Sequence, residues 1–145
     1  MLIDAQCLFS ESQAITADAN STNYMDLGTQ ARNLFDGEPM AVVLIVDVAA
    51  DHTTGDEVYE FQIQTDDNTS FSSATALVTK TILYSALTAG AKHVLPIPVG
   101  STLERYLQVY YNVGGTTPTI TVTAFLQPLN MVQLDKVYDD NVTIS

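Results

Sequence analysis

The clearest alternation in the chain runs from Glu57 to Thr65, with Tyr59, Phe61 and Ile63 on one side and Val58, Glu60, Gln62 and Gln64 on the other. One dry face and one wet face is the pattern of a strand in an antiparallel sheet. Upstream, Met40 to Val48 is a β-branched run with no polar residue before Asp47, which predicts a central strand covered on both sides. Ala76 to Tyr84 reads as a further strand, with Lys80 its only charge. His93 to Val99 is extended, but Pro96 and Pro98 lack backbone donors, so the segment is expected at a sheet edge or as a crossing piece. Leu103 to Val113 is long and rich in Tyr and Val. The turn Gly114-Gly115-Thr116-Thr117-Pro118 leads into Thr119 to Gln127, where Ile120, Val122, Ala124 and Leu126 share a side, and this pair predicts a hairpin.

The ends are less patterned. Met1 to Asn33 mixes short apolar patches with Ser, Thr, Asn and Asp, and predicts an extended arm with one or two strand pairings. Ala17 to Asn23 reads as a polar loop there, and Tyr24 to Gly28 as a short strand ending at the glycine. Beyond Pro128, the apolar residues Met131, Val132, Leu134, Val137, Tyr138, Val142 and Ile144 keep no period. Two readings stay open for that tail: an arm lying on a neighbouring subunit, or a strand packed on its own domain. No stretch reads as a long amphipathic helix. The expectation is therefore a single all-β domain over residues 1–145, an antiparallel two-sheet sandwich with extended N- and C-terminal arms. Within it, 1–33 form the N-terminal arm and strands, 34–128 the core and 129–145 the C-terminal arm.

Charge narrows the partners. Seventeen acidic residues stand against five basic ones, for a net charge of -12. Such a surface repels phosphates and anionic lipid heads, so neither nucleic acid nor membrane is an expected partner. The start of the chain carries no basic segment before a long apolar stretch, and no apolar run approaches bilayer length, so folding in a cytoplasm is expected.

Catalytic readings fail in turn. His52 falls in a turn and His93 begins an extended segment, with no nucleophile motif around either. Cys7 is the sole cysteine, which excludes an intrachain disulfide and a cysteine-rich zinc site. Paired carboxylates suit glycoside hydrolysis, but no tryptophan is available as a sugar platform. Acidic residues cluster at Asp51, Asp56 and Glu57, at Asp66, Asp67 and Asn68, and at Asp139, Asp140 and Asn141, none with EF-hand spacing. Asx-rich turns arise readily because these side chains cap their own backbone, so no metal or other cofactor is expected, and no enzyme. Tyr106 and Tyr110 share one face of a long strand, and tyrosines suit interfaces because they bury a ring and keep a polar end wet.

Three stretches carry a resemblance. Phe61 to Ser72, then Glu104 to Gly115 continued by Pro118 to Phe125, and the opening Met1 to Gly28 (with Phe9-Ser10-Glu11-Ser12-Gln13-Ala14 and Asp26-Leu27-Gly28) resemble capsid cement, or decoration, proteins of tailed bacteriophages. The resemblance implies a jelly-roll-like sandwich, assembled as a homodimer or homotrimer on the outer capsid surface of the virion. There it would bridge major capsid proteins and resist the pressure of packaged DNA. It supplies no catalytic residue and no shell-contact residue. Interface logic alone points to Tyr106 and Tyr110 for an oligomer or capsid contact, and to Leu134, Val137 and Tyr138 for an arm on a neighbouring subunit or on the shell. The alternative from another class is a carbohydrate- or receptor-binding sandwich of a phage tail or fibre.

Overall fold

The computed structural model describes residues 7–28, 39–98 and 101–129. Nine strands are formed there: β1 (Leu8–Ile15), β2 (Ala19–Asn20), β3 (Met25–Asp26), β4 (Met40–Val48), β5 (Val58–Asp66), β6 (Thr75–Ile82), β7 (Lys92–Pro96), β8 (Tyr106–Gly114) and β9 (Ile120–Pro128). One sheet has the order β1-β9-β4-β7, and the other β2-β8-β5-β6 with β3 also beside β8. All pairings are antiparallel. The short β2 and β3 lie along one edge of β8, opposite Tyr110–Tyr111 and Tyr106–Leu107, and together act as one interrupted strand. Eight strand positions in two four-position sheets, with the chain crossing between the sheets at every step except β5 to β6, make a jelly roll.

The expected faces of β5 are the observed ones. Tyr59, Phe61 and Ile63 are buried between the sheets, whereas Glu60, Gln62 and Gln64 face outward. β4 is covered on both sides: Val42, Leu44 and Val46 enter the core, and Ala41 and Val43, on the opposite face, are equally buried. The prolines hold β7 at an edge, where Pro96 sits opposite Ala41 with no N–H to offer.

The hairpin expected between β8 and β9 does not form. β8 pairs with β5, β2 and β3 in one sheet, and β9 with β1 and β4 in the other. The Gly-rich turn reverses the chain but carries it across the sandwich, so that Val109 and Tyr111 meet Val122 and Ala124 through one core. Gly115 (φ 92) makes that crossing possible: a Cβ there would lie 2.3 Å from the Asp56 carbonyl oxygen. The paired hairpin is β5–β6 instead.

The opening segment supplies three pairings rather than one or two. β1 is a full edge strand that buries Phe9 and Ile15, and Ala19–Asn20, within the expected polar loop, pairs with β8. β6 ends at Ile82 and gives way to a 3-10 turn at Tyr84–Ala86. The two sheets are also joined by a hydrogen bond in the core, 2.7 Å between Ser10 Oγ on β1 and the Tyr111 hydroxyl on β8. The expected C-terminal arm, with Leu134, Val137 and Tyr138, lies outside the described residues.

Candidate binding surface

The outward side chains of β5, β8 and their neighbours create the most organised surface of the described residues. On β8, Tyr106, Gln108, Tyr110 and Asn112 face out, because their cross-strand partners are the outward Asp66, Gln64, Gln62 and Glu60 of β5. Tyr106 and Tyr110, both half-buried, thus share one outward sheet face, flanking the buried Gln108, while Tyr111 points into the core. Burial raises the pKa of the Tyr110 hydroxyl, and the nearby Asp18 charge adds to the effect.

At one end of this face the aromatics cluster. The Tyr24 ring, 48% exposed, meets Tyr106 edge-on at 5.4 Å and Phe71 at 6.2 Å. Arg105 lies over the Tyr106 ring at 5.1 Å and grips Asp26 with two hydrogen bonds of 2.9 and 3.1 Å. Aromatic rings beside a guanidinium fixed in place are the residue types that dominate protein interfaces. Tyr24, Phe71 and Arg105 escaped the sequence reading because they come from three separate loops and short strands, brought together only by the fold.

Carboxylates gather close by. Oxygens of Asp66, Asp67 and Glu104 lie within 4.8 Å of one another and could offer ligands to a cation. Asp66 is 1% exposed, and its burial alone would raise its pKa. The Ser73 N–H, 2.9 Å from Oδ2, outweighs that with help from the Ser73 hydroxyl and Asp67, and the net shift is downward.

At the opposite end, His52, Glu57, Val58, Tyr59, Leu83 and Tyr84 border a shallow cavity of about 200 Å³. His52 stacks on Tyr84 at 3.7 Å, with Nδ1 3.4 Å from Glu57 Oε2. Burial pushes the Glu57 carboxyl up, but donors from the Thr54 hydroxyl and from the N–H groups of Thr54 and Gly55 hold it below the usual range. His93 Nε2 is engaged 2.7 Å from the Ala86 carbonyl oxygen. Each histidine is thus tied to the 84–86 turn, and no serine or cysteine nucleophile appears among the residues bordering the His52 cavity.

The Bbp16 family model matches residues 9–126, from the second residue of β1 to the seventh of β9. The chain belongs to the Bbp16 family. The Bbp16 match covers both sheets and the whole outward face with Tyr106 and Tyr110, and stops short of Leu134, Val137 and Tyr138. No curated protein matches the chain.

Proposed function

We propose that this chain is a structural, non-catalytic cement protein on the outer capsid surface of a tailed phage, made in the host cytoplasm and bound to the major capsid protein as a homodimer or homotrimer. The observation that carries the reading is a jelly roll whose outward sheet face ends in a Tyr24–Tyr106–Phe71–Arg105 cluster that its own fold leaves partly exposed. The resemblance of the opening, β5 and β8–β9 segments to decoration proteins supports the same role. Tyr106 and Tyr110 are assigned to the oligomer or shell contact, and Leu134, Val137 and Tyr138 to an arm that reaches a neighbour or the shell. Residues 130 to 145 number sixteen, and a chain of that length spans at most roughly 50 Å when drawn out, enough to cross a subunit border. Many modest contacts acting together give durable attachment, since each further site binds at high effective concentration. The net charge of -12 disfavours contact with packaged DNA and suits the outer surface.

The test is light scattering of the pure protein, then co-sedimentation with empty shells of its cognate phage. A discrete oligomer that coats shells at fixed stoichiometry supports the proposal. A monomer that stays in the supernatant ends it. Removing residues 130–145 is expected to weaken coating while leaving the melting temperature of the sandwich near that of the full chain. Unchanged coating would remove the arm from the reading.

A further inference from the structure

Away from the aromatic end, the outward face of β5 and β8 carries a one-way relay of amides. Gln108 Nε2 donates to Gln64 Oε1 at 2.9 Å and to Asn20 Oδ1 at 3.1 Å. Gln64 Nε2 donates to Gln62 Oε1 at 2.8 Å, and Gln62 Nε2 to Glu60 Oε1 at 2.7 Å. Asn112 Nδ2 reaches the same Glu60 oxygen at 2.9 Å. Each link polarises the next, so the row is stiffer and more strongly dipolar than separate side chains would be. Gln108, 1% exposed, anchors it, and the hydrogen bonds from Asn112 and Gln62 hold the Glu60 carboxyl below the usual Glu range.

We propose that this relay, with Tyr110 beside it, binds a neutral carbohydrate chain. Gln62 and Gln64 each use one N–H within the relay and keep a second, along with spare oxygen lone pairs, for a ligand. Sugar hydroxyls donate and accept at once, which matches amides repeated every second residue, about 7 Å apart along a strand. The relay fixes these groups before binding, which lowers the ordering cost. Tyr110, directly opposite Gln62, adds a half-buried ring against which the apolar face of a sugar can lie. Thr79 and Thr81, opposite Gln62 and Glu60 on β6, extend the polar surface.

Charge selects the ligand class. Glu60 is the one charged member of the relay, and Lys80 on the neighbouring β6 is paired with the core-facing Phe61, so it falls on the inner face. Among the described residues no cation belongs to the relay, and Arg105 at the aromatic end is already held by Asp26. A protein partner would have to match every amide as it excluded water, whereas a hydrated glycan satisfies them directly or through bridging waters. Glycan binding competes with the capsid reading for Tyr110, since it requires that this ring stand outside the oligomer contact; tested on the free protein, without shells, its failure is separate from failure of the capsid reading.

The free protein is screened against immobilised neutral oligosaccharides (glucans, mannans, galactans and N-acetylhexosamine oligomers), with sulfated and uronic-acid chains as anionic controls. Any neutral ligand found is then titrated by NMR. The expected result is binding of a neutral class that is unchanged by 1 M salt and perturbs Gln62, Gln64 and Tyr110 resonances. Q62A/Q64A should bind about tenfold more weakly, the loss of two modest hydrogen bonds, with an unaltered far-UV spectrum. Y110A, in a second protein, should weaken the same ligand. Three results overturn the proposal: no neutral chain binds, only the anionic controls bind, or both variants bind like the wild type.

Discussion

Ser10 and Tyr111 meet in the core from opposite sheets, and their hydrogen bond has a fixed sense. The Ser10 hydroxyl donates to Gln13 Oε1 at 2.7 Å, so at its contact with Tyr111 it accepts, and the phenol is the donor. Tyr111 is fully buried, and burial raises its pKa, so the phenol keeps its proton throughout the neutral range. Tyr111→Phe removes the donor but leaves Ser10 bonded to Gln13, and should cost about 1 kcal/mol, one ordinary hydrogen bond. Ser10→Ala removes the acceptor and strands a phenol O–H in the core, which costs more, about 1–3 kcal/mol. The double variant strands nothing, so its loss should fall short of the sum by about 1 kcal/mol. Urea unfolding followed by far-UV circular dichroism suits a chain without tryptophan, and equal m-values across the four proteins would validate the comparison. Additive losses, or a Tyr111→Phe loss as large as that of Ser10→Ala, would refute the assigned direction and the coupling of the sheets through this bond.

Two further outcomes follow from charge. Asp56, Glu57, Glu60 and Asp66 all have lowered pKa values in the fold, from ordinary values of 3.8 for Asp and 4.5 for Glu. Their stabilisation is complete above those values and is lost as pH falls through the lower folded ones. The melting temperature should therefore hold from neutrality down to about pH 4.5 and drop below it; a steep fall already between pH 7 and 6 would contradict this. Lys80 places a charge on the inner face of β6, an edge strand, which guards a free edge against pairing with another chain. Lys80→Val should raise the scattering mass over time at high concentration, and an unchanged mass would show that the edge is protected by other means.

The unbroken apolar run of β4 determined only that both its faces are covered. The alternation of β5 determined by itself which of its residues enter the core, because a period of two leaves one choice of face once a single side is buried. Tyr106 and Tyr110 were legible as one face for the same reason. Strand partners were not. The turn 114–118 looks identical in sequence whether it closes a hairpin or crosses a sandwich, and what sent β9 to the other sheet was the burial of Ile120, Val122 and Ala124 against Leu107, Val109 and Tyr111. Residues 8–20 lacked a sustained pattern because the irregular register at Ser12 (φ 46) breaks the alternation of β1, so only pairing with β9 and β8 reveals them as strands. The amide relay was invisible for a similar reason: Gln62 and Gln64 read as an ordinary wet face. Their order comes from Gln108 and Asn112, more than forty positions away in the chain, which the sheet register sets directly opposite Gln64 and Glu60.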